Sequence, residues 1–241
     1  MNDIALNAIS AATIGGVIVA MAATRNSVAK AIIYGLPVPV TVLLIATGGV
    51  VTSHHIIGLF LLNLFLWSVW FTYQRWHNIY LSDALGAATY GVLGYGLITY
   101  VEVPFFAIVA AFAVSWLLFA LLYRERLVDT APKSGPAIPL TLKFAVTASL
   151  AFVMLSMKSL FGGVIVTFPF AGVFAVIEGE KILKIIAVSF TQNSLALLLL
   201  FVAIRASDGQ PLGLRIAFGW AVYLLVLMAL NRLFARAKPA S

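Results

Sequence analysis

Long apolar runs separated by short polar breaks fill nearly the whole chain. A helix needs about 20 consecutive apolar residues to cross hydrocarbon, and the runs repeat at that length. They predict nine spans, numbered 1 to 9: Ile4–Thr24, Val28–Val51, His55–Tyr73, Ala84–Val101, Phe105–Tyr123, Leu140–Met157, Leu160–Ile177, Ile182–Ile204 and Leu212–Phe234. The division between spans 4 and 5 rests on Glu102 and Pro104. The stretch from Arg124 to Pro139, with Pro132, Pro136 and Pro139, reads as a boundary between halves. The chain thus divides into a first membrane repeat over 1–102, a linker span with its cytoplasmic loop over 103–137, and a second membrane repeat over 138–241. The opening Met1-Asn2-Asp3 has no basic n-region, and no A-x-A site closes the first run, so that run is expected to be a retained span.

Composition agrees with the pattern. Of 241 residues, 63% are hydrophobic and only 10% charged, against about 25% charged in a soluble domain. Such a chain has too little polar surface to cover a water-facing globule. The net charge of +7 does not point to nucleic acid, because the 15 basic residues are scattered through short loops and form no stripe. They sort by face instead. Loops after spans 1, 3, 5, 7 and 9 carry all of them except Lys158, Arg205 and Arg215. The positive-inside rule places the richer face in the cytoplasm, so the N-terminus is expected outside and the C-terminus inside. Fusing spans 4 and 5 would weaken that bias. The absence of cysteine excludes disulfides, thiolate metal sites and cysteine nucleophiles.

Two segments are alike. Thr24 to Pro37 aligns without gaps on Ser156 to Pro169, placing Ser27 on Ser159 and Ile33 on Ile165. Each begins with a polar turn carrying a basic residue (Arg25, Lys158) and ends at a proline inside an apolar run. A lone amide follows in the next span of each half, Asn63 and Asn193, after a two-residue shift. The charge-based topology runs span 2 outward and span 7 inward. The expected fold is therefore an all-α polytopic transmembrane bundle with a 4+1+4 inverted repeat, span 5 being the extra element. Inverted repeats with interrupted helices at matching positions are a common plan of secondary transporters.

The segments Thr24–Trp67 and Ser156–Ala203 resemble the small GlpM-type bacterial inner-membrane proteins. The shared features are the basic turn, a residue pair ending in proline (Leu36-Pro37, Phe168-Pro169), a polar turn and a long helix, with Ala113-Val114-Ser115-Trp116 similar to that family's final span. Its members are about half this length, so the chain looks like a fused pair with one additional span. The resemblance implies the bacterial inner membrane and little chemistry, since the family has no well-established activity.

Several residues are candidates for a site. Pro37, Pro39 and Pro169 remove backbone donors inside apolar runs, which suggests either kinked half-helices lining a polar mid-membrane cavity or kinks repaired by packing. Asn63, Gln192 and Asn193 sit near the middles of their spans, where an amide must find a partner; substrate contact and interhelical bonding both fit. Glu178 and Glu180 are spaced to pair with Lys181 and Lys184, three and four residues on; the other reading gives Glu178 a role in gating or coupling. Asp83 reads as a helix cap, and Ala8, Ala12, Gly16 and Ala20 as a small-residue packing stripe. His54 and His55 adjoin at an outer turn with no second ligand set nearby, so no metal is expected. No nucleophile, base or phosphate loop converges, and neither an enzyme nor a cofactor is expected. The sequence favours a transporter or flippase for a neutral, zwitterionic or lipid-like solute, with a non-transporting scaffold or accessory subunit of an envelope-biosynthesis complex as the alternative. Expected partners are the bilayer, a small-molecule or lipid-like substrate and, as an open option, a second copy of the chain; nucleic acid is excluded.

Overall fold

The structure, a computed structural model, describes residues 3–23, 37–123 and 138–235, and every regular element in them is helical. The order is α1 (Asp3–Ala23), α2 (Val38–Ala46), α3 (Ser53–Trp76), α4 (Ile79–Tyr100), α5 (Phe105–Leu122), α6 (Leu140–Ser156), α7 (Lys158–Phe161), a 3-10 segment (Gly162–Thr167), α8 (Phe170–Glu178), a 3-10 turn (Glu180–Ile182), α9 (Leu183–Ala206) and α10 (Leu212–Ala235). Among the described residues α3, α5, α9 and α10 are long and apolar enough to cross a membrane, and a fifth span arises if α6 and the pieces after it, bent by 76°, count as one. The nine expected spans and their 4+1+4 arrangement are not established by that count. Span 2 lies partly outside the described residues, as does the boundary segment 124–137. Span 7 is not one helix at all.

Local chemistry explains these departures. The described part of span 2 is only α2, which stops at Ala46 because Gly48 and Gly49 turn the chain with φ of 94° and 71°, a conformation glycine adopts without a Cβ penalty. In span 7 the chain breaks at Gly162, with φ of 49°. It tightens into a 3-10 segment, extends at Phe168, and restarts at Pro169 as α8. A proline at a helix start sacrifices no hydrogen bond, since first-turn N–H groups have no intrahelical partner. Pro37 and Pro169 therefore stand at the N-caps of α2 and α8. α4 begins five residues before the expected span. Asn78 caps it, accepting from the Leu81 N–H at 3.1 Å, so Asp83 is an interior, buried residue and not the cap.

α3 and α9 form the centre. Half of the apolar window of α3 and 56% of that of α9 are buried, against 11% for α5 and for α10. The outer helices thus show most of their surface to the surroundings. α3 and α9 run antiparallel. Arg205, at the end of α9, donates to Val51 O just before α3 at 3.2 Å. Tyr73, near the end of α3, donates to Glu180 just before α9 at 2.6 Å. Between these ends Trp67 Nε1 donates to Thr191 Oγ1 at 3.1 Å. α5 packs against both posts, and α1 packs along α6. The expected small-residue stripe does not make that contact: Ala8, Ala12 and Gly16 are exposed, and Ala11, Ile14, Gly15 and Ile18 turn inward, Gly15 lying against Phe144 and Ala148.

Candidate functional site

The 3-10 segment is fixed before it delivers α8 to the bundle centre. Tyr90 Oη donates to Val164 O at 2.8 Å and shares a hydrogen bond of 2.9 Å with Thr167 Oγ1. Gly58 of α3 makes room for that threonine, since a Cβ there would collide with Thr167 Oγ1. Gly163 likewise admits the ring of His55. The two histidines open α3, where the Nδ1 of buried His55 accepts the Thr52 N–H at 3.1 Å. His55 is thus a capping and packing residue in this structure.

With that segment anchored, α2 and α8 start alike. Pro37 has φ −80° and ψ 40°, Pro169 has φ −76° and ψ 52°, and each heads a helix of nine residues. Thr41 N–H donates to Pro37 O and Val173 N–H to Pro169 O, both at 2.9 Å. Neither helix has a side-chain cap, so the positive end of each dipole stands at these starts.

A cavity of about 330 Å³ lies where the two starts meet the middles of α3 and α9. Pro37, Pro39, Pro169 and Asn193 all line it, so the structure brings together four of the residues singled out from the sequence. Its walls are apolar and aromatic, including Phe168, Phe170, Phe190 and Tyr223, and no charged side chain is among the described lining residues; a polar chamber was expected. On α9 the lining runs from Ile186 to Leu197 and on α8 from Phe170 to Ala175. The cavity thus extends from mid-bundle toward the end of the molecule that holds Glu178.

Asn63 and Gln192 are not part of it. Asn63 donates to Leu59 O of its own helix at 2.9 Å. The Gln192 side-chain amide donates to Tyr123 O at 3.1 Å, and the Gln192 backbone carbonyl accepts from Trp116 Nε1 at 3.0 Å, which fastens α5 to α9. Neighbouring residues on a helix point about 100° apart, so Gln192 faces α5 while Asn193 faces the cavity. Ser189 was missed. It precedes Asn193 by one turn on the same face and lines the same cavity. Among the described residues neither Ser189 Oγ nor the Asn193 amide has a hydrogen-bond partner. The signal was a second polar residue four positions before a lone asparagine.

Charges secure the far ends of the two short helices. At the end of α8, Glu178 pairs with Lys143 of α6 at 2.5 Å, while Glu180 accepts from Tyr73 and Lys184 lies over the Trp70 ring at 5.6 Å. At the opposite end of the bundle, Asp208 binds Arg215 at 2.5 Å and Arg205 at 3.1 Å. Arg215 donates to Gly49 O at 3.1 Å and Arg205 to Val51 O, tying down the turn that closes α2. No protein-family model matches this chain, and no curated protein or solved structure matches it.

Proposed function

We propose that the protein is a small membrane transporter or flippase of 4+1+4 inverted-repeat design, moving a neutral, zwitterionic or lipid-like solute through the cavity at the starts of α2 and α8. One observation carries the reading: two nine-residue helices, headed by prolines of nearly equal backbone angles, open onto one cavity at the bundle centre. Helix interruptions are tolerated at membrane depth where they are buried in protein or line a cavity, and paired interruptions form the solute sites of many transporters. Further support comes from α3 and α9, each 24 residues long with Asn63 and Asn193 as their eleventh residues, and from their antiparallel course. α5, which packs on both, is the unmatched span. In this reading the chain is a fused pair of units similar to GlpM-type proteins, sits in a bacterial inner membrane with its N-terminus outside, and uses the Glu178–Lys143 pair in gating.

Vesicles containing purified protein, challenged with a panel of uncharged, zwitterionic and lipid solutes, test this. Transport of at least one solute that Pro169→Ala plus Asn193→Ala abolishes is expected. Transport by that double variant at the wild-type rate for every solute moved would remove the cavity from the mechanism. Sidedness has its own check, because the chain has no cysteine: Arg25→Cys and Lys158→Cys should react with impermeant reagents from opposite faces, and reaction from one face would end the inverted repeat.

A further inference from the structure

We infer that the cavity selects an uncharged, mostly apolar molecule carrying one hydroxyl or amide group, which Ser189 and Asn193 read together. This deepens the transporter reading and rests on it for the role of the cavity, but the ligand class follows from the lining itself. A space of about 330 Å³ corresponds to roughly eleven waters at about 30 Å³ each, and so to a ligand of about that many heavy atoms. It lies at the small end of the range for ligand sites.

Charge is disfavoured by what the described walls lack. An ion moved into such a site loses its hydration and must find a counter-charge. None of the described lining residues supplies one. Of the charged groups on the attached elements, Glu178 is committed to Lys143 and Arg215 to Asp208, and Lys184 lies over the Trp70 ring. Partial charges at the starts of α2 and α8 favour a ligand oxygen, but a dipole end is too weak to replace a counter-ion.

A purely apolar ligand is disfavoured for the opposite reason. Ser189 and Asn193 stand one turn apart on α9 and make no hydrogen bond. Covering them with hydrocarbon would leave both unsatisfied. An asparagine amide offers a donor and an acceptor, a serine hydroxyl offers both, and the amide can present either end. The complement is a group that donates and accepts at one place, as a hydroxyl or an amide does, attached to an apolar body that lies against Phe168, Phe170 and Phe190.

A matched series tests the inference. Ala175, a lining residue, is replaced by Cys in this cysteine-free chain, and its maleimide modification is timed in detergent with decan-1-ol, decanoate, decylammonium or decane. Decanol should slow modification, and decanoate and decylammonium at equal concentration should not. Adding Ser189→Ala and Asn193→Leu should weaken decanol protection roughly two- to tenfold, the equivalent of one net hydrogen bond, and bring it to the level of decane. Retained decane protection in that variant shows that the cavity is intact; if it is lost, Ser189→Ala alone carries the comparison. Equal protection by the charged analogues, or decanol protection indifferent to both substitutions, would overturn the inference. Protection and transport fail separately: vesicles could move nothing while this pattern holds, and could carry an ion while it fails.

Discussion

α2 and α8 begin alike and end differently. Shifting by the 132 residues that separate Pro37 from Pro169, Lys143 falls on Ala11 and Glu178 on Ala46. In the first half both positions are buried alanines. In the second they form an ion pair in which Lys143 is 3% and Glu178 24% exposed. The central helices diverge in the same way. By the 130-residue shift that superposes Asn63 on Asn193, Gly58 corresponds to Val188 and Leu59 to Ser189. Asn63 is absorbed by its own helix, and Asn193 lines the cavity. Equal element lengths and equal proline geometry therefore need not imply equal chemistry. The polar recognition groups and the buried ion pair both belong to the second half.

Breaking the ion pair should have the largest effect. Glu178→Ala leaves the deeply buried Lys143 ammonium without its partner and is expected to lower stability by about 3–5 kcal/mol. Lys143→Ala leaves the better solvated carboxylate behind and should cost less. Lys143→Met with Glu178→Met, which carries the second half toward the apolar chemistry of the first, should recover most of the loss. Unfolding in micelles of the wild type, Lys143→Met, Glu178→Met and the double Met variant gives the coupling energy, and additive losses would mean that the pair is not a unit.

Next in size is Gly58→Ala, which drives a methyl group into Thr167 where packing leaves no room. Overpacking of this kind costs about 1–3 kcal/mol. Hydrogen exchange should locate the damage, with the amides of the Gly162–Thr167 segment losing protection before those of α9. Uniform loss would show that the segment is not separately anchored.

Tyr90→Phe removes only the hydroxyl that serves Val164 O and Thr167 Oγ1. A loss of about 1–2 kcal/mol is expected, because a buried carbonyl loses a partner; a thermal melt unchanged by the substitution would contradict the anchoring role. Asp208→Asn should matter less. Its side chain is 42% exposed, and exposed pairs contribute about 1 kcal/mol or less. Raising the salt concentration should reproduce much of the effect in the wild type.

The smallest effect is expected at Asn63. Asn63→Leu deletes a donor already served locally together with an unpartnered oxygen, so stability should change by less than about 0.5 kcal/mol and decanol protection should persist. Asn193→Leu should reduce that protection's preference over decane. Equal effects at the two asparagines would erase the difference between the halves.

The sequence determined that the chain is helical and apolar enough for a membrane. Run length and proline chemistry are local properties, so Pro37 and Pro169 could be marked as points of disturbed helix geometry, and the long helices around Asn63 and Asn193 placed, from the residue order; the breaks at Gly48, Gly49 and Gly162 could not. Only the tertiary structure decided which of two adjacent amides lines the cavity, that Ser189 joins Asn193, that Glu178 meets Lys143 of α6, and that Tyr90 holds the 3-10 segment. Each of these depends on a residue tens of positions away, or on which helix face is turned inward. Periodicity in a chain apolar on nearly every face cannot choose that face, because burial in lipid and burial in protein leave the same pattern.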